Sequence, residues 1–143
     1  MDKRGPAKRL KSKDHFTFTV ISAKGEPLEP KKGATAFKNQ CGVLVRDRIP
    51  ISYKEWNKTK KYNHEGDYVP DRDKNGLWDD LVQHFTLPEK PTLQETEELK
   101  KLVKKFAIQR MGELFRQWKK RLWATYKRDK KPPQFTGYLL QQE

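Results

Sequence analysis

The alternation of apolar and polar positions changes rhythm several times along the chain. From His15 to Ser22, HFTFTVIS, the residues Phe16, Phe18 and Val20 alternate with Thr17, Thr19 and Ile21, which predicts a strand with one better-buried face. Gly25, Pro27, Pro30 and Gly33 then interrupt regular structure, and Ala34 to Gln40 admits a short turn of helix. In the run GVLVRDRIPI, Val43, Leu44, Val45 and Ile49 suit a second strand that ends at Pro50. Two strands make only a marginal sheet and need a helix to pack against. Ser52-Tyr53-Lys54-Glu55 has the spacing of a capping box, predicting a short helix that bears Trp56. Asn57 to Asn75, polar and containing Gly66 and Pro70, reads as the longest loop.

The second half is helical in pattern. Leu77, Trp78, Leu81, Val82 and Phe85 recur at three- and four-residue intervals, predicting an amphipathic helix stopped by Pro88. His84 is then a helix surface residue. Thr92 to Glu95 forms another capping box, Glu95, Glu97 and Glu98 place negative charge at the positive end of the next helix, and Lys127, Arg128, Lys130 and Lys131 lie at its far end before Pro132-Pro133. On a helical projection Leu99, Leu102, Val103 and Phe106 point one way, and Met111, Leu114, Phe115, Trp118, Leu122 and Tyr126 point about 100° away. That rotation requires either a kink between Ala107 and Gly112 or one long helix whose halves bury against different neighbours. The predicted fold class is mainly α with a small N-terminal β element (α+β) and one long basic C-terminal helix. Residues 15–143 form a single helix-rich domain, with the β element in 15–56 and the helical part in 74–131. Residues 1–14, without apolar periodicity, form a disordered basic arm.

Composition sharpens this picture. In 143 residues, hydrophobic types make up 34% and charged types 36%, whereas ordinary domains run at about 45–50% and about 25%. Much of the chain therefore stays in solvent, although its aromatic content of 11% argues against complete disorder. The net charge of +13 is concentrated in residues 1–13 and 100–131; the rest of the chain is net acidic. Concentrated positive charge favours polyanions. The clusters Lys3-Arg4 and Lys8-Arg9-Leu10-Lys11 suit a nuclear localisation signal or a phosphate-binding tail. The lone Cys41 permits no internal disulfide and fits a reducing compartment. With neither a membrane-length apolar run nor an apolar signal core, a soluble intracellular protein with no membrane partner is expected.

Facing away from the buried stripe of the long helix are Arg116, Lys119, Lys120 and Lys127, with Trp123 projecting among them and Trp118 and Tyr126 assigned to the core. The expected partner is nucleic acid, double-stranded DNA first. Arg116, Lys119, Lys120, Arg121, Lys127 and Arg128 would neutralise phosphates, extended by Lys130 and Lys131 and by Lys8 and Arg9 of the arm, while Trp123 and Arg110 approach sugar or base edges. The rival is a protein-interaction module. In it Trp123 and the rotated stripe form a homodimer seam or dock an acidic nuclear protein; the purely structural alternative has Trp123 packing against the N-terminal sheet or a second protomer.

Catalytic chemistry finds little footing. His15, His64 and His84 are scattered, and no zinc spacing, phosphate-binding glycine loop or nucleophile signature occurs. The acidic groups Asp71 with Asp73, Asp79 with Asp80, and Glu95 with Glu97 and Glu98 suit a loop cap, a helix flank and a helix start. None is framed by apolar strands that would hold carboxylates on divalent ions. A binder is expected rather than an enzyme, without metal, cofactor or small-molecule substrate.

The ordered combination FKNQCGVLVRDRIPISYKEW, LWDDLVQHFTLP and FRQWKKRLWATYKRDKKPPQFTGYL resembles a segment of plant transposase-like proteins associated with CACTA (En/Spm) elements. Its carriers are Cys41-Gly42, Arg46, Ile49-Pro50, Trp56, Leu77-Trp78, Phe85, Phe115, Trp118-Lys119, Leu122, Tyr126 and Phe135, within a span from Phe16 to Leu139. The resemblance implies a plant nuclear protein derived from a mobile element, in which this segment is a DNA-binding or accessory region without catalytic residues. Such proteins continue into a further Trp- and Phe-containing stretch, so a truncated or domesticated product, or an isolated domain, is expected.

Overall fold

The structure, a computed structural model, describes residues 9–11 and 14–129, with side chains as far as 126. The order of elements is β1 (Phe16–Thr17), β2 (Val20–Ile21), β3 (Pro27–Glu29), α1 (Lys31–Arg48), α2 (Asp71–Val82), β4 (Phe85–Thr86) and α3 (Leu93–Asp129). The architecture is mostly helical α+β, with three helices and two small two-stranded sheets among the described residues. Among the described residues no helix is long and apolar enough to cross a membrane.

The largest departure from the sequence reading is the segment 42–48, which belongs to a helix rather than a strand. Gly33, Phe37, Gln40, Cys41, Leu44 and Val45 fall at helical spacing and are buried. Gly42 and Val43 are buried too, so the run looks unbroken because α1 lies between α2, α3 and β3. An apolar run this short cannot distinguish a buried helix from a buried strand by period. Pro50 does mark the end as expected, because it excludes helical backbone at Ile49, which sits at φ −108° and ψ 115°.

The expected strand over 15–22 divides at Thr19. Its first part pairs in parallel with β4, Phe16 opposite Phe85, and its second part pairs antiparallel with β3, Val20 opposite Glu29. The bend leaves Val20 exposed while Phe18 is buried. Phe18 stacks on Phe85 at 5.4 Å and meets Phe37 edge-on at 5.9 Å, and Phe37 lies 6.5 Å from Phe106 of α3. Such ring pairs each add about 0.5–1.5 kcal/mol beyond the area they bury. Phe85 therefore stands in a strand, not on the second helix.

That helix also starts earlier and stops sooner than its apolar spacing indicated. Pro70 precedes it, and Asp71 and Asp73 in the first turn complement the helix dipole. His84 lies beyond the helix, its Nδ1 3.0 Å from the Asp14 carbonyl. No helix forms at Ser52–Glu55: the Lys54 and Glu55 amides both donate to the Asp67 carbonyl, and Val69 N–H donates to Glu55. The loop so closed inserts Trp56 into the core, where only 2% of it is exposed and its ring centroid lies 5.7 Å from that of Phe115.

Candidate nucleic-acid interface

The start of α3 is fixed as its sequence indicates. Thr92 Oγ1 accepts the Glu95 amide at 3.1 Å and donates to the Glu95 carboxylate at 3.0 Å. The helix then continues without interruption to Asp129, and at about 1.5 Å per residue its 37 residues span roughly 55 Å. Of the two alternatives offered by the rotated stripe, the long helix with two sets of neighbours is the one adopted. Its first half meets Phe37 through Phe106 and the Gly25 turn through Leu102; its second half meets Trp56 through Gly112 and Phe115, and α1 near Gly42 through Leu114. The stripe drifts smoothly through Val103, Ala107, Met111 and Phe115, all fully buried.

Phe115 is the last buried residue of α3 among those described, and Trp118 is half-buried against the core. Beyond it Lys120, Arg121 and Trp123 are exposed, and Arg116 is exposed one turn earlier. No carboxylate pairs with Arg116, Lys120 or Arg121 among the described residues. Arg116, Lys120 and Trp123 follow one another at i, i+4 and i+7, so they share a stripe on the outer face.

Tyr126, expected in the core, is 38% exposed, and Trp123 is 59% exposed. The two rings stack on each other, centroids 5.2 Å apart and planes 11° from parallel. Tyr126 lies eleven residues past Phe115, the last buried residue of α3 among those described, and covering one face of Trp123 removes apolar surface from water locally. Trp123 therefore packs on its own helix, not on the N-terminal sheet.

Three of the predicted nucleic-acid contacts, two for phosphate and one for sugar or base edges, are drawn elsewhere. Lys119 bends back toward the 52–56 loop, where its ammonium donates to the Tyr53 and Lys54 carbonyls and lies 5.3 Å from the centre of the Phe115 ring. Burial lowers its pKa below the lysine value of 10.5, opposed by the negative charge of Glu55. Arg110 is half-buried: its Nη1 donates to Glu113 at 3.2 Å and its Nε is buried without an acceptor among the described residues. Arg9 pairs with Asp80 at 3.3 Å and approaches Asp47 at 3.9 Å, and Asp80 also takes Arg48. Lys8, Lys130 and Lys131 lie outside the described residues, as do the side chains of Lys127 and Arg128.

The projection also brings in residues that the sequence reading passed over. Lys105 and Gln109 fall within about 60° of Arg116, Lys120 and Trp123 around the α3 axis, and both are exposed. The helical period would have found them had the outer face been traced back past Arg116. Among the described residues no three His, Cys, Asp or Glu side chains gather to hold a metal ion. Comparison with protein-family models, with curated proteins and with solved structures gives no match.

Proposed function

We propose that this is a non-catalytic nucleic-acid-binding protein with double-stranded DNA as its ligand, derived from a plant transposon of the CACTA type and acting in the nucleus. The observation that carries the reading is the run Arg116, Lys120 and Arg121, exposed on a helix that outlasts its own core and unpaired with carboxylate among the described residues. An α-helix with side chains is about 10–12 Å across and a DNA major groove about 12 Å wide, so such a helix end enters a groove or lies along its rim. Salt dependence tests the phosphate contacts. Meeting about six phosphates gives a slope of log affinity against log salt near −5, and a slope near zero removes the model.

A second reading, an interaction or dimerisation module, is favoured by the exposed Trp123–Tyr126 stack, since buried aromatics anchor protein interfaces. Charge reversal separates the two. Arg116→Glu with Lys120→Glu and Arg121→Glu abolishes duplex retention and spares self-association under the DNA reading. Trp123→Ala does the opposite under the rival. Retention of duplex by the charge-reversed protein at ordinary salt would sink the DNA reading.

A further inference from the structure

A cavity of about 380 Å³ opens between α3 and the turn that joins β2 to β3. Its apolar surface comes from Leu102 and Phe106; Lys24 reaches it from the turn, and Lys105, Gln109, Arg110 and Glu113 from the helix. Lys24, Lys105 and Arg110 against Glu113 leave the recess with a surplus of two positive charges. Neither Lys24 nor Lys105 meets a carboxylate among the described residues. A concave site lined by one sign of charge concentrates the field and the matching counter-ion.

The turn that carries Lys24 is held firmly. Ser22 Oγ accepts the amides of Lys24 at 3.2 Å and Glu26 at 3.1 Å, and the Gly25 amide donates to the Ser22 carbonyl at 3.0 Å. Gly25 has φ +94°, and a Cβ there would stand 2.5 Å from the Leu102 carbonyl oxygen. Only glycine lets the turn sit directly on the α3 backbone, and that seat sets Lys24 beside the cavity. On the opposite side, Glu113 engages Nη1 of Arg110 and leaves the guanidinium with further donors.

We propose that this cavity is a nucleotide subsite, holding one phosphate among Lys24, Lys105 and Arg110 and laying the attached nucleoside on Leu102 and Phe106. A phosphate monoester carries close to two negative charges at neutral pH, matching the surplus, and lysine and arginine supply the charge-assisted donors that phosphate oxygens take. Phe106 offers a ring against which a base stacks, and the Gln109 amide presents both a donor and an acceptor to a base edge. The volume lies within the roughly 300–1,000 Å³ of small-ligand sites. Lys105 and Gln109 also lie in the same sector of α3 as Arg116 and Lys120, so a strand leaving the cavity runs along the cationic face toward Arg116, about 16 Å from Lys105 along the helix axis. The nucleotide is free in the cell or is one unit of a polynucleotide. The inference rests on the nucleic-acid reading above only for that second source.

Titration of the isotopically labelled full chain with adenosine 5′-monophosphate, adenosine, inorganic phosphate and a short 5′-phosphorylated single strand tests it, read from amide resonances. The monophosphate is expected to give saturable shifts confined to residues 22–26 and 102–113. Adenosine and phosphate alone bind at least about tenfold more weakly, because each loses one half of the site. Lys24→Ala with Lys105→Ala weakens the monophosphate about tenfold or more, and since both side chains are exposed the fold is retained. Glu113→Gln tightens it, a gain that misfolding cannot mimic. Arg116→Ala with Lys120→Ala leaves it within about twofold, since those side chains lie outside the cavity.

Saturable, lysine-sensitive shifts with the single strand alone identify a polynucleotide as the source and support the subsite. The subsite is overturned if neither probe shifts these residues saturably, or if the Lys24 and Lys105 substitutions leave binding unchanged. Duplex retention through Arg116 and Lys120 with a silent cavity refutes the subsite alone. Monophosphate binding without duplex retention refutes the DNA reading and leaves the subsite standing.

Discussion

Adding a single methyl group at Gly112 tests how α3 is anchored at the root of its basic end. In an exposed helix, glycine to alanine stabilises by about 1 kcal/mol, because alanine loses less backbone freedom on folding. At Gly112 the new Cβ would lie 2.6 Å from Trp56 Cδ1, 2.8 Å from Nε1 and 2.9 Å from Cγ. That indole cannot yield easily, with Phe115 at 5.7 Å on one side and the Lys74 ammonium 5.3 Å from its ring centre. Overpacking of this kind costs about 1–3 kcal/mol, and expelling a buried tryptophan costs about 3–5. The net expectation for Gly112→Ala is destabilisation by about 1–2 kcal/mol, lowering Tm by roughly 3–6 °C in a chain of this size.

Gly76→Ala is the matched control. The nearest atom to its added Cβ is Nη2 of Arg48 at 3.1 Å, the far end of a flexible side chain, so the helix-propensity gain survives and this variant is equal to or more stable than the parent. Thermal and urea unfolding followed by circular dichroism at 222 nm measures both without depending on which tryptophan reports. If Gly112→Ala is as stable as Gly76→Ala, Trp56 does not occupy the α3 surface and the argument for the anchored loop fails.

Further outcomes follow from single contacts. In Lys119→Met the ammonium leaves a half-buried place; because burial lowers the folded pKa, the native protein gains stability as pH rises from that lowered value toward 10.5, and the stability of the parent relative to the variant should rise across this alkaline window in pH-dependent melts. Asp80→Asn removes the carboxylate shared by Arg9 and Arg48; exposed pairs are worth about 0.2–1 kcal/mol each, so stability falls slightly while exchange of the Leu10 amide accelerates. Cys41 is fully buried with its thiol pushed up to about 12 by desolvation, so a thiol reagent labels it only as fast as the protein opens. Labelling on mixing would refute that placement.

The Thr92 and Glu95 pair made one helix start readable in advance, and Pro50 marked the end of its element, although that element was expected to be a strand. The rotation of the apolar stripe on α3 was readable too, because a 3.6-residue period over 37 residues is unambiguous. The character of the run from Gly42 was not, since every residue from Cys41 to Val45 is buried and such a stretch lacks the polar face that identifies a helix. Neither was Trp56, which the capping-box pattern of Ser52 and Glu55 assigned to a helix; Lys54 and Glu55 instead close a loop by donating to Asp67, thirteen and twelve residues on. At the candidate interface, position around the helix predicted Arg116, Lys120, Arg121 and Trp123 as exposed. It could not predict Lys119, because the two carbonyls that capture its ammonium belong to a loop whose path is set by tertiary packing.

Among the described residues, none from 120 to 126 of α3 is buried. Their order depends on continuation from the anchored turns below and is opposed by repulsion among their own cations. Whatever neutralises those charges must therefore also strengthen the helix, and by thermodynamic reciprocity a sturdier helix must grip the same counter-charge more tightly. An added polyanion should raise ellipticity at 222 nm, and raising ionic strength should reproduce part of that gain with no specific ligand present.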